Sequence, residues 1–331
     1  MSITVPTFAD VEAAAERIRP YATRTRLIES HDLNARLGAR VFLKPEMFQR
    51  TGSFKFRGAC NAVLQIPQAR RANGVIAFSS GNHAQGVAAA AREFGLPATI
   101  VMPKDAPATK IAGTRRLGAD VVFYDRRTDD REAIARDLMA KSGATLIEPF
   151  DNAKVVAGQG TAGLEIVDDM AALGMTLDTV LAPCGGGGLV TGIALAFAGR
   201  SPKTRVIGVE PERFDGMRLS LAAGARTPAP GGELSIADAL MAPAPGHIPF
   251  AIAKEKLSAA VAVTDTELQR AVSYAFQRLK VVVEPGSAAG LAALLAGKVD
   301  VGGRRHIAVV LTGGNCEIST VASCVVAVTE P

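Results

Sequence analysis

Tryptophan is absent from the 331 residues, and the other aromatics are few, with 3 Tyr and 13 Phe. Single-stranded nucleic-acid surfaces stack bases on aromatic rings, so that class of function is not expected. An excess of one charge is also missing. Lys and Arg number 37 against 32 Asp and Glu, a formal balance of +5. The densest basic cluster is Lys110, Arg115 and Arg116, with Arg126 and Arg127 beyond, and it reads as solvated surface. A nucleic-acid partner is therefore not expected, whereas an anionic small ligand is permitted. The four cysteines (Cys60, Cys184, Cys316, Cys324) form no CxxC and have no zinc-type spacing with His. In their apolar or Gly-rich settings they read as buried thiols of a reducing cytoplasm. The N-terminus carries Asp10, Glu12 and Glu16 and has no unbroken apolar core, so it does not read as a signal peptide.

A membrane-spanning run is lacking too. Residues 179–199 are uncharged over 21 positions, long enough to cross a bilayer, but they hold Pro183 and six glycines, four of them consecutive. Such a run breaks a helix and strands backbone groups that lipid cannot satisfy. It reads instead as strand, glycine loop and buried helix, and no membrane partner is expected. What is present is a chain that is 48% apolar and 21% charged, which excludes disorder as its main state.

Short β-branched runs alternate with Ala-rich helical patterns. Strands are predicted at 41–43, 74–78, 98–102, 120–123, 178–183, 205–210 and 306–311. Helices are predicted at 82–94, 108–117, 130–142, 161–173, 189–198, 265–280 and 288–296. Such alternation argues an α/β fold with parallel, covered sheets. Two clusters are visible, one at about 72–152 and one from about 155 onward, with Pro149, Asp151 and Asn152 at the join. Residues 214–250, rich in Pro and Gly, read as a long surface loop near the site.

Four constellations carry chemistry. In Thr51-Gly52-Ser53-Phe54-Lys55-Phe56-Arg57-Gly58 a lysine lies between two Phe. Apolar surroundings disfavour the ammonium and would make a nucleophilic amine, although a surface lysine passing apolar neighbours accounts for the octapeptide alone. Ser79-Ser80-Gly81-Asn82-His83-Ala84-Gln85-Gly86 joins a strand to a helix, where α/β proteins place ligands, and it holds more polar residues than one helix cap requires. Residues 184–189, Cys-Gly-Gly-Gly-Gly-Leu, also lie between strand and helix, and their N–H groups could converge on an anion. They lack the Gly-Lys-Ser/Thr of a nucleotide P-loop. A dinucleotide reading stays open here, since Gly186 and Gly188 precede a helix and Glu210 ends the next strand, but the third glycine is delayed to Gly192. Leu311-Thr312-Gly313-Gly314-Asn315 ends the last strand and could alone be a simple turn.

Taken together, these motifs resemble the fold type II pyridoxal-phosphate enzymes of the serine/threonine dehydratase and serine racemase family. The matching segments are SFKFRGA (53–59), SSGNHAQG (79–86), AGQGT (157–161), CGGGGL (184–189), VEP (209–211), VVEPGSAAG (282–290) and LTGGN (311–315), in family order over nearly the whole chain. The resemblance implies a two-lobed α/β architecture, each lobe a mostly parallel twisted sheet covered by helices. Residues 1–71 and 153–331 would form the large cofactor-binding domain and 72–152 the small one. It implies pyridoxal 5′-phosphate as cofactor, an amino acid as substrate and a cytoplasmic homodimer.

By the same resemblance, Lys55 is the Schiff-base lysine and Phe54 packs on the pyridine face. Asn82 bonds the cofactor's 3′ oxygen, Gly185, Gly186, Gly187, Gly188 and Leu189 hold its phosphate, and the Thr312 hydroxyl faces its ring nitrogen. Ser79, Ser80, Asn82 and His83 receive the substrate carboxylate, and Arg131 matches a second carboxylate contact on little local motif. A hydroxyl cannot force ring protonation as a carboxylate would, which favours prompt loss of a β-hydroxyl. The leading expectation is thus an ammonia-lyase (dehydratase) converting L-threonine, L-serine or another 3-hydroxy amino acid to a 2-oxo acid and ammonia, with Lys55 as general base. Racemisation is the rival within the family, since Ser80 matches the second acid/base of serine racemases. A dehydrogenase, or a protein that binds the cofactor without turnover, is the alternative from another class.

Two departures stand out. Some relatives bind a divalent cation, Mg²⁺ or another, through a Glu, a backbone carbonyl and an Asp six residues after the Glu. Here the candidates are Glu210 and Asp215, but the sixth position is Gly216. Ala239 replaces a common Gly in a loop that borders the substrate, so the preference could move to another hydroxylated amino acid such as 3-hydroxyaspartate. The motifs end at Asn315, close to residue 331, and a C-terminal regulatory domain is not expected.

Overall fold

The computed structural model describes residues 3–79, 81–106, 108–300 and 305–327. Its strands are β1 (Ile28–Glu29), β2 (Arg40–Pro45), β3 (Val75–Phe78), β4 (Ala98–Pro103), β5 (Asp120–Tyr124), β6 (Thr145–Leu146), β7 (Thr179–Pro183), β8 (Arg205–Pro211), β9 (Ala259–Val263) and β10 (His306–Leu311). Its α-helices are α1 (Phe8–Ile18), α2 (His31–Leu37), α3 (Lys55–Leu64), α4 (Gln68–Arg71), α5 (Asn82–Glu93), α6 (Ala108–Arg116), α7 (Arg131–Ser142), α8 (Ala153–Ala172), α9 (Gly188–Arg200), α10 (Gly216–Ala223), α11 (His247–Lys256), α12 (Asp265–Gln277), α13 (Ala289–Leu295) and α14 (Ile318–Ala327).

Two sheets organise these elements. One has the order β1-β2-β10-β7-β8-β9 and the other β5-β4-β3-β6. Every pairing is parallel except β1 with β2. The runs Val-Ile-Ala-Phe of β3 and Thr-Val-Leu-Ala-Pro of β7 are buried at every position, as strands covered on both faces must be. Residues 179–199 are strand, loop and helix, and no helix among the described residues is long and apolar enough to cross a membrane.

Three differences from the sequence expectation bear on the site. Lys55 begins helix α3, a helix absent from the sequence expectation, because α3 is buried nearly all round and no polar stripe betrayed it. Helix α8 begins at Ala153 rather than near 161, because the Asn152 side chain caps it by accepting from the Lys154 and Val155 N–H groups. The segment 214–250 holds α10, the start of α11 and a 3₁₀ turn, Asp238–Leu240, instead of one continuous loop.

The glycines of α8 are packing devices. A Cβ on Gly158 would sit 2.7 Å from Gly58 Cα of α3, and one on Gly160 would sit 2.6 Å from the Gly192 carbonyl of α9. Helix α8 is thus pressed between α3 and α9 at glycine crossings. Beneath α3 lies a buried ionic cluster. Arg57 donates to both oxygens of Glu46 (2.7 and 2.8 Å) and to Glu165 (2.8 Å), and Lys44 donates to Glu165 at 2.6 Å. Burial works against the Glu165 charge, but Arg57 and Lys44 outweigh it and hold that carboxyl down to about 2. The cluster ties β2, α3 and α8 together.

Candidate active site

The carboxyl ends of β3, β7 and β10 open on one cavity of about 180 Å³, the position where open α/β sheets place ligands. Lys55 enters it from the first turn of α3. An antiparallel bridge, Ser53 to Gly313, and the bond from Phe54 N–H to the Thr312 carbonyl (3.0 Å) pin the preceding residues to the end of β10. The Lys55 amine donates to the Pro149 carbonyl at 2.8 Å and stands 5.2 Å from the centre of the Phe54 ring. Burial pushes its pKa down to about 8, against the opposing charge of Glu284. An amine so placed is a nucleophile towards an aldehyde and a base.

Two helix N-termini border the same cavity without side-chain caps. Helix α9 starts at Gly188 after Gly187, which adopts φ 93°. Helix α5 starts at Asn82 after Gly81. First-turn N–H groups that no side chain caps, added to the helix dipole, suit an anion. The glycine loop is also sterically obligatory. A Cβ on Gly186 would overlap the Phe150 ring, and one on Gly187 would meet Met217 and Pro249. Gly185, Gly186, Gly187, Gly188 and Leu189 all line the cavity, as do Phe54 and the buried Thr312.

Asn82 is held from two sides. Its Nδ2 donates to Glu284 Oε1 at 2.6 Å, and its Oδ1 accepts from Asn315 Nδ2 at 2.8 Å. Glu284 is 4% exposed, and burial, with the nearby charge of Asp238, raises its carboxyl to about 7. Neither Glu284 nor Asn315 was singled out from the sequence, although both lie inside quoted motifs. Their link to Asn82 spans more than 200 residues, and only the fold brings them together.

The substrate-facing residues are mixed. Ser79 lines the cavity, and its hydroxyl accepts from Gly81 N–H at 3.1 Å. Ser80 lies outside the described residues. His83 differs from expectation. Its Nε2 donates to the Ile147 carbonyl at 2.8 Å, which leaves Nδ1 unprotonated and without a partner. Burial, then the Lys55 charge, depresses its pKa to about 3. It is therefore a neutral ring that offers a carboxylate neither charge nor a side-chain donor. Arg131, on α7, lines the cavity and stacks 5.5 Å from the centre of the Phe78 ring. Lys110, read from the sequence as solvated surface, instead lines the cavity and pairs with Asp238 at 2.8 Å.

The expected divalent-cation ligands do not assemble. Glu210 accepts from the Met217 and Arg218 backbone N–H groups, each at 2.9 Å, and Asp215 accepts from Arg218 Nε at 2.8 Å. Burial, with Asp215 beside it and against those two N–H bonds, raises the Glu210 carboxyl to about 8. Among the described residues no three His, Cys, Asp or Glu side chains gather as a metal site. With Gly216 at the sixth position, Glu210 and Asp215 do not fit the cation expected from the sequence.

The organic cofactor does fit. An amine within a cavity flanked by an uncapped, glycine-bounded helix N-terminus matches an aldehyde that carries a phosphate dianion. The model of the "Pyridoxal-phosphate dependent enzyme" family matches residues 18–313. An L-threo-3-hydroxyaspartate ammonia-lyase from Pseudomonas sp is 46% identical over 320 residues, covering 96% of this chain and 97% of the relative. One from Saccharomyces cerevisiae is 42% identical over 325 residues, covering 97% of each. The crystal structure of a threonine deaminase from T.th. superposes with a TM-score of 0.88 at 42% identity, covering 95% of this chain and 99% of that one. The fold, the lysine-centred cavity and these likenesses agree, and the chain belongs to the pyridoxal-phosphate dependent enzyme family.

Proposed function

We propose that the protein is an ammonia-lyase that converts a 3-hydroxy amino acid to a 2-oxo acid and ammonia, with L-threo-3-hydroxyaspartate as its preferred substrate. The carrying observation is the half-buried Lys55 amine in a cavity that two uncapped helix N-termini border, one suited to a phosphate and the other to an α-carboxylate. Arg131 and Lys110 on the cavity wall add cationic character that a second carboxylate can use. The 42% and 46% identity to two L-threo-3-hydroxyaspartate ammonia-lyases supports the same preference.

Lys55 would carry the cofactor, α9 and its glycine loop its phosphate, Asn82 its 3′ oxygen, Phe54 one ring face and Thr312 its ring nitrogen. When bound, pyridoxal phosphate supplies an electron sink that acidifies the substrate Cα–H. The first-turn N–H groups of α5 orient the α-carboxylate, and Arg131 takes the second. Lys55 removes the Cα proton, and its lowered pKa leaves about a tenth of the free amine neutral at pH 7. The C–H electron pair forms the Cα–Cβ double bond as the Cβ–O bond breaks. The departing hydroxyl takes up the proton held by Lys55 and leaves as water, which restores the amine, and hydrolysis of the resulting enamine yields the 2-oxo acid and ammonia. Residues 72–152, which contain every strand of the four-stranded sheet, are the small domain in this reading.

The test supplies the holoenzyme with L-threo-3-hydroxyaspartate, L-serine and L-threonine in turn, and measures 2-oxo acid, ammonia and the chirality of recovered substrate. Equimolar 2-oxo acid and ammonia, formed fastest from L-threo-3-hydroxyaspartate, is the expected result. No 2-oxo acid from any of them, or racemised substrate as the main product, overturns the reading.

A further inference from the structure

The bonds around Asn82 have a direction that can be deduced from its two ends. Thr51 adopts φ 64°, and its carbonyl accepts from Asn315 Nδ2 at 2.7 Å. A carbonyl only accepts, so the Asn315 amide must turn its nitrogen that way. The second hydrogen on that nitrogen reaches Asn82 Oδ1 at 2.8 Å. The Asn82 carbonyl is thereby committed, and its Nδ2 lies on the other side, donating to Glu284 Oε1 at 2.6 Å. Glu284 in its ionised form only accepts, so the far end then imposes the same direction as the Thr51 carbonyl. Reversing the Asn82 amide would set oxygen against oxygen at Glu284 and nitrogen against nitrogen at Asn315.

The surroundings hold this chain in place. Gly52, at φ 73°, leaves room for the Asn315 amide, since a Cβ there would lie 2.5 Å from Asn315 Oδ1. Glu284 is fixed through its backbone N–H to the Gly313 carbonyl at 3.1 Å. One Asn82 hydrogen remains uncommitted, and it is on nitrogen.

We propose that Asn315 and Glu284 are positioning residues that lock the Asn82 amide as a hydrogen-bond donor towards the 3′ oxygen of the cofactor. The inference rests on the reading that Asn82 meets that oxygen. A freely flipping amide would present its carbonyl part of the time, and two acceptors repel.

The test is an equilibrium titration of cofactor-stripped protein, followed by absorbance, with pyridoxal 5′-phosphate and with its 3-deoxy analogue, which lacks the oxygen. Each variant is compared with the wild type for each compound. Asn315→Ala and Glu284→Ala should each weaken pyridoxal phosphate by about tenfold, and the analogue by less than about twofold. Glu284→Gln, whose amide oxygen still accepts, should return binding to within about threefold of wild type. Asn315→Asp keeps the volume and serves if an alanine variant fails to fold. It cannot donate to Asn82, so it too should weaken only the natural cofactor. Equal weakening of both compounds makes the two residues merely structural and overturns the proposal. A wild-type protein that binds both compounds equally well overturns the placement of Asn82 instead, and one that binds neither overturns the cofactor reading of the cavity.

Discussion

The wall of the cavity built on the six-stranded sheet and the wall built on the four-stranded sheet hold their side chains in different ways. On the first, the glycine loop touches Phe150, Leu240 and Pro249 so closely that a Cβ has no space, and Glu284 and Thr312 are buried. On the second, Arg131 and Lys110 are long side chains held by a ring face and by an ion pair whose acid, Asp238, is 53% exposed. Close packing defines one geometry, whereas long charged groups adapt. In the proposed reading the first wall would hold the cofactor's lysine and phosphate, the second would add Asn82 to the cofactor's contacts, and Arg131 and Lys110 would set substrate choice.

The comparison can be broken by substitution. Removing the amine has the largest expected effect. Lys55→Ala should abolish the visible absorption of the bound cofactor and lower turnover by about 10³-fold or more, read by spectroscopy and a 2-oxo acid assay. Next comes the adaptable wall. Arg131→Met should lower kcat/KM for L-threo-3-hydroxyaspartate by about 100-fold while that for L-serine changes less than about threefold. A uniform loss would move Arg131 out of substrate choice. Gly186→Ala should weaken cofactor binding by about 30-fold through overlap with Phe150, and adding Phe150→Ala should recover part of it. A silent Gly186→Ala would show the first wall to be as yielding as the second. Lys110→Ala should raise KM by no more than about threefold, less at high salt, because a partly exposed ion pair contributes little.

Activity at neutral pH should respond least to Glu165→Gln, which lies below the first wall, yet acid stability should report it. The Glu165 carboxyl is held to about 2 in the fold, against an ordinary 4.5. Its stabilising contribution is complete above 4.5 and fades as pH falls through about 2. The melting-temperature gap between wild type and variant should therefore be widest near neutrality and close towards about pH 2. A gap independent of pH would assign the loss to packing rather than charge.

Much of this was legible in sequence because the cofactor wall is local. The Gly185–Gly188 run, Lys55 between its two Phe and the strand ends before Ser79 and Thr312 each declare themselves within a short stretch of chain. What stayed hidden was long-range or masked. Glu284 and Asn315 meet Asn82 from far away in sequence. Lys110 looked like one more surface cation until the fold placed Asp238 opposite it. The helix predicted at 161–173 begins at Ala153, and Gly158 and Gly160 inside its first half are points where helices touch. Strand β9, Ala-Ala-Val-Ala-Val, is small and sits at a sheet edge, so it carried no strong pattern.

Those helix contacts have a consequence for the catalytic centre as a whole. Helix α3 begins with the lysine and α9 begins at the glycine loop, and α8 lies between them at glycine crossings. The spacing of the two anchor points is therefore gauged by backbones in near contact at Gly58 with Gly158 and at Gly160 with Gly192. Loops around the rim can be lengthened, shortened or exchanged without altering that gauge. A scaffold of this kind keeps one chemistry constant while its rim is free to diversify, and attempts to redirect its specificity should begin at Arg131 and the 238–242 segment and leave the three helices untouched.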